Sequence, residues 1–202
     1  MKEYENNGLR ASALSLAVIA VMTALLIGAQ FVLSFVAGVE VVSLLLAVFS
    51  VVYGIRRGLA VATCFSLLRL IVFGFSPNAT VLYFIYYPCF AAFTGLYGKL
   101  LNGAYKGAIN AESGVKRAKT LTFLGLIGGL VLLCTALTCC FTLLDDIIAP
   151  AIMGFSETSK RIYFYQSLPV MATHALCVAI SVAVGFYPLY KVMDRLKISM
   201  RV

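Results

Sequence analysis

Six stretches of this chain are apolar and almost free of charge. They run roughly over residues 11–36, 40–54, 58–74, 79–101, 120–144 and 168–191. None alternates strictly between apolar and polar positions, so the pattern predicts helices and not barrel strands. The first run is far longer than the apolar core of a cleavable signal, and it is long enough to cross a bilayer. The second and third runs are short. Taken as helix, the second reaches only about 20 Å, against a hydrocarbon core of about 30 Å. It either crosses by recruiting its ends or dips in under the protection of other helices.

Charge placement favours crossing. With the N-terminus in the cytoplasm and strict alternation, the inner segments hold Lys2, Arg10, Arg56, Arg57, Lys99, Lys106, Lys116, Arg117, Lys119, Lys191, Arg195, Lys197 and Arg201. The outer segments hold only Lys160 and Arg161, and Arg69 falls inside the third run. This asymmetry is the positive-inside rule. It makes Arg56-Arg57 a cytoplasmic hairpin anchor and puts Glu40 at the outer face.

Composition agrees. Hydrophobic residues make up 62% of the 202 positions and charged residues 12%. A soluble domain has about 45–50% apolar and about 25% charged residues, and a core of this size cannot hide such an excess. The expected fold is an all-α integral membrane protein: one domain, 1–202, built as a bundle of six transmembrane helices with both termini cytoplasmic. The net charge of +8 then belongs to basic loops and anionic membrane lipid, not to nucleic acid.

The six cysteines all lie in apolar stretches with no C-x-x-C pair, so they read as packing residues, and no metal site is expected. Nucleotide-binding, hydrolase and zinc-protease signatures are absent, and Asp145-Asp146 has no accompanying histidine or third acid. The chain is therefore not expected to be an enzyme.

The chemistry lies at the outer side. Ionisable groups at membrane depth are costly and usually functional, and Arg69 is the clearest case. It is either a structural ion-pair partner, with Glu40 or Asp145 at similar depth, or a contact for an anionic ligand. Asn78 lies near the same face, and so do the tyrosines of VLYFIYYP, including Tyr83 and Tyr86. RIYFYQ adds Tyr165 and Gln166, and His174 sits in the sixth run. Tyrosine at this level belongs to an interfacial belt or to a pocket for a flat ring. Residues 145–169 read as a long outer loop, a candidate lid with an interfacial helix in it. On the first run Ala13, Ala17, Ala20, Ala24 and Gly28 share one face. Such a stripe suits close helix packing, either within the chain or against a separate subunit.

The order of these features resembles the substrate-binding S components of energy-coupling factor (ECF) vitamin importers. The resemblance rests on Ala20-V-M-T-Ala24, then GVEVVSLL, YGIRRG, GFSPN, SLPVMATH and FYPLYK, and it covers about Ala11 to Lys191. It implies a multi-pass protein of the bacterial plasma membrane that captures a vitamin-like small molecule at the outer face. It implies a coupling transmembrane subunit and two cytoplasmic ATPase subunits as partners, with ATP bound there and no cofactor in this chain. It maps the coupling contact to Ala20 and Ala24, with Ala13 and Ala17 as the alternative pair. The substrate-contacting candidates are Glu40, Arg69, Asn78, Tyr83, Tyr86, Asp145, Tyr165, Gln166 and His174. A self-contained ion-coupled carrier is the alternative, and a small lipid-directed enzyme is a third reading.

Overall fold

The computed structural model describes residues 2–34, 41–109 and 113–200, with side chains described for 13–34, 41–109 and 116–199. It is all helical, with no strand among the described residues. The helices are α1 (Lys2–Leu33), α2 (Val42–Tyr53), α3 (Ile55–Phe73), α4 (Pro77–Ile109), α5 (Ser113–Met153) and α6 (Glu157–Met200). Segments of α1, α4, α5 and α6 are long and apolar enough to cross a membrane.

The helices alternate in direction. Gln30 of α1 and Arg69 of α3 meet Tyr83 of α4 at one end of the bundle. At the other end Arg57 of α3 reaches Ser15 of α1, and Lys197 of α6 reaches Val52 of α2. The start of α1 and the end of α6 thus share the end where the basic residues Arg57, Lys106 and Lys197 gather.

α2 is the core of the bundle. Every residue from Val42 to Val52 is buried, and α1, α3, α4 and α6 pack around it. A helix apolar on all sides belongs inside. Its 12 residues span about 18 Å. Enclosure by protein means that its ends need not match the lipid thickness.

Glycines allow the close approaches. Gly54, at φ +88°, reverses the chain between α2 and α3. On α4, a Cβ at Gly95 would lie 2.8 Å from the Ile55 Cα, and one at Gly98 would lie 2.7 Å from the Val51 Cα. Bare backbone on α4 is what lets the α2–α3 corner sit against it.

The expected outer loop over 145–169 is instead a helical hairpin. α5 continues to Met153, and α6 begins at Glu157. Gly154, at φ +65°, ends α5, and the Phe155 amide donates to the Pro150 carbonyl at 3.1 Å. That is the left-handed glycine cap with its six-to-one bond. Ser156 then accepts from the Ser159 amide through Oγ at 3.3 Å, capping α6. The segment between the fourth and fifth runs is shortened in the same way, because α4 extends to Ile109 and α5 starts at Ser113.

The outside of the bundle is apolar. Val21, Ile71, Leu132 and Val184 are each at least 70% exposed. Apolar exposure of this extent marks a surface that meets lipid or another protein.

Candidate ligand-binding cleft

Between the ends of α1, α3 and α4 distal to the basic end lies a cavity of about 260 Å³, lined by Gln30, Ser34, Val42, Arg69, Phe73, Tyr83 and Tyr87, with Leu33 at its edge. Val42 opens α2, and α2 runs from here to the basic end. The cleft therefore lies about 18 Å along the bundle from the basic residues, by helical rise.

Tyr83 organises the site. Its ring lies under the Arg69 guanidinium, with 4.0 Å from Cζ to the ring centroid. Phe73 flanks the same cation at 5.7 Å. The Tyr83 hydroxyl accepts a hydrogen bond from Gln30 Nε2 at 2.8 Å. Below the ring an aromatic floor holds it in place: Phe65, Tyr87 and Phe141 lie 6.2, 4.9 and 6.0 Å from it, centroid to centroid. Ser66 of α3 also donates to the Tyr83 carbonyl at 3.0 Å, tying α3 to α4 at this level.

Two buried polar atoms in the cleft have no hydrogen-bond partner among the described residues, Arg69 Nε and Gln30 Oε1. Leaving such a group unsatisfied costs about 1–3 kcal/mol, and more when it is charged. No carboxylate lies within ion-pair distance of Arg69 among the described residues, where the pair found is Lys160 with Glu157. A cation stacked on tyrosine with no paired carboxylate suits an incoming anion.

The sequence-derived candidates divide. Arg69 and Tyr83 form the cleft, and Tyr86 belongs to its floor, 4.6 Å from Phe141. Asn78 instead helps start α4, its Oδ1 accepting from Ser76 Oγ at 2.6 Å. Asp145 accepts from the Tyr163 hydroxyl at 2.6 Å, and Asp146 accepts from Ser167 at 2.7 Å, so this acid pair clasps α5 to α6. Tyr165 and Gln166 are exposed on α6, and His174 is half-buried on it; none of the three lines the cleft. Glu40 lies outside the described residues. Gln30, Tyr87 and Phe73 are additions. Tyr83 and Tyr87 stand four apart on α4, a helical-face spacing that was available to find the floor.

On α1, Ala13, Ala17, Ala20 and Ala24 are all exposed. A Cβ added to Gly28 would meet nothing within 4 Å. Ala17 borders a shallow apolar groove of about 350 Å³ with Val21, Tyr53 and Met193. The small-residue face is not buried by another helix of this chain among the described residues.

No family model matches the chain, and no curated protein or solved structure matches it either.

Among the described residues no group of His, Cys, Asp or Glu is arranged to hold a metal ion.

Proposed function

We propose that this chain is the membrane-embedded substrate-binding subunit of an ECF-type importer. The observation that carries the proposal is the cleft: a stacked arginine without a paired carboxylate among the described residues, on an aromatic floor, at the end of the bundle opposite the basic residues. In this reading all six helices cross the bacterial plasma membrane. Both termini are cytoplasmic, because the basic end faces inward by the positive-inside rule. α2 crosses enclosed by α1, α3, α4 and α6, while α3, with 19 residues, turns an exposed apolar side that includes Leu67 and Ile71 to the lipid.

The cleft captures a vitamin-like solute from outside. Its volume lies just below the range of about 300–1,000 Å³ usual for small-molecule pockets, so it suits a ring-sized group better than a whole large cofactor. The exposed alanine face of α1 docks the coupling transmembrane subunit, which the two cytoplasmic ATPases drive. Small residues suit that role, since in lipid close backbone packing drives helix association. The chain itself performs no chemistry.

The test has two readings from one preparation. The chain is purified in detergent, and bound small molecules are extracted and identified by mass spectrometry. It is then co-expressed with a coupling subunit and its ATPases, and ATP-dependent uptake of the identified molecule is measured. Stoichiometric retention with partner-dependent uptake is the expected result. Uptake by the chain alone in proteoliposomes would replace this reading with an autonomous carrier.

A further inference from the structure

The polarity of the cleft says more about its ligand than the cleft's presence does. Tyr83 covers one face of the Arg69 guanidinium, so what remains available is its edge of N–H donors, and Nε on that edge has no partner. Gln30 spends Nε2 on the Tyr83 hydroxyl and keeps Oε1, an acceptor, without a partner. Both residues rest on the same tyrosine and line the same cavity of about 260 Å³. The site thus offers a cationic donor edge and, beside it, a lone acceptor.

We propose that the cleft selects a compact, flat oxyanion that carries a hydrogen-bond donor next to its anionic group. The oxyanion meets the Arg69 edge, which can bind a carboxylate or phosphate through two parallel hydrogen bonds. The neighbouring N–H or O–H donates to Gln30 Oε1, and the ring packs among the aromatic side chains that line the cavity. A neutral ligand would leave the arginine without a counter-charge among the described residues. An anion without a donor would leave Gln30 Oε1 unpaired, and sites discriminate strongly against ligands that leave their buried polar groups unpaired. This inference rests on reading the chain as a solute-binding subunit.

The test uses matched ring probes on the full chain in detergent. Pyrrole-2-carboxylate carries both features, furan-2-carboxylate lacks the donor, and pyrrole-2-carboxamide lacks the charge. Inorganic phosphate is the fourth probe. Thermal unfolding is followed by circular dichroism, because the chain has no tryptophan to report by fluorescence. Pyrrole-2-carboxylate is expected to stabilise at a concentration at least threefold below furan-2-carboxylate and at least tenfold below the carboxamide. Phosphate outperforming the ring carboxylates would overturn the inference, because phosphate is tetrahedral and has no ring to stack. Arg69→Lys is expected to weaken the response about tenfold, and Gln30→Leu to abolish the preference for pyrrole over furan. Should Arg69→Lys fail to fold, the probe series and Gln30→Leu decide alone.

Equal responses to carboxylate and carboxamide, or no response to any oxyanion, overturn the inference. A neutral molecule found stoichiometrically in the same preparation also overturns it, while leaving the binding-subunit reading in place. Failure to associate with a coupling subunit would remove that reading without touching the probe result.

Discussion

Lys197 of α6 donates its ammonium N–H to the carbonyl of Val52, in the last turn of α2. α2 ends with Val52 buried, beside a cavity of about 500 Å³ that Asn102, Tyr190 and Lys197 also line. Asn102 of α4 satisfies the Val51 carbonyl at 2.8 Å, and the Tyr190 hydroxyl bonds to Asn102 at 2.6 Å. Two helices, α4 and α6, therefore close the end of a third. A cation at a helix C-terminus also opposes the helix dipole, a contribution of about 0.3–2 kcal/mol. Lys197→Met keeps the stem and removes the charge and the donor. It is expected to destabilise the fold by about 1–2 kcal/mol, the usual cost of an unpaired buried carbonyl. Thermal melts in detergent check this. Solute binding is expected to change less than twofold, because the cleft lies at the other end of α2. A melting temperature equal to wild type would show that the bond contributes nothing.

Gly98 tests how tightly α4 holds the α2–α3 corner. A methyl there would sit 2.7 Å from the Val51 Cα and 2.9 Å from its carbonyl oxygen. Neither is a flexible side chain that can swing aside. Gly98→Ala is expected to cost about 1–3 kcal/mol through overpacking. Gly103 on the same helix has nothing within 4 Å of an added Cβ. Gly103→Ala is expected to be neutral or to stabilise by up to about 1 kcal/mol, since alanine is the better helix former. A pair of melts that do not separate would contradict the close contact.

The helical class and the alternation of the helices were legible from hydropathy and charge. Arg69 and the tyrosine run were legible as candidates, because ionisable and aromatic residues stand out in an apolar chain. The α5–α6 hairpin was missed, although Gly154-Phe155-Ser156 spells a helix stop followed by a helix start. Asp145 and Asp146 drew attention as charges and so suggested a loop, whereas they serve as cross-helix acceptors for Tyr163 and Ser167. Gln30 shows in the sequence only as a polar residue near the end of the first apolar run. Its pairing with Tyr83 joins residues 53 positions apart, and no local pattern encodes such a contact. The exposure of the alanine stripe was equally beyond spacing, which cannot say whether a neighbour covers a face.

Ala20 and Ala24 test the proposed docking face apart from the cleft. Both are exposed on α1, so larger side chains there need not disturb the bundle. Ala20→Leu combined with Ala24→Leu is expected to leave the melting temperature within a few degrees of wild type and binding within twofold. It is expected to abolish partner-dependent uptake, because the added bulk separates backbones that must pack closely. Pull-down of the coupling subunit and an uptake assay read the two effects. Undiminished uptake would remove this face from the docking surface.

Asp145 separates a structural acid from a ligand contact. Its carboxylate accepts the Tyr163 hydroxyl at 2.6 Å, next to the Gly154 turn. A hydrogen bond to a charged group contributes about 1.5–3 kcal/mol. Asp145→Asn keeps the shape and an acceptor oxygen but removes the charge, so part of that contribution is expected to disappear. Tyr163→Phe removes the donor and is expected to have a similar effect. Both changes loosen the clasp between α5 and α6, so faster amide exchange is expected over residues 145–169, with little change around Arg69 and Tyr83. Solute retention is expected to stay within twofold of wild type for each variant. A tenfold loss of retention in Asp145→Asn, with Tyr163→Phe unaffected, would instead place this carboxylate on the ligand and extend the binding site to the outer hairpin.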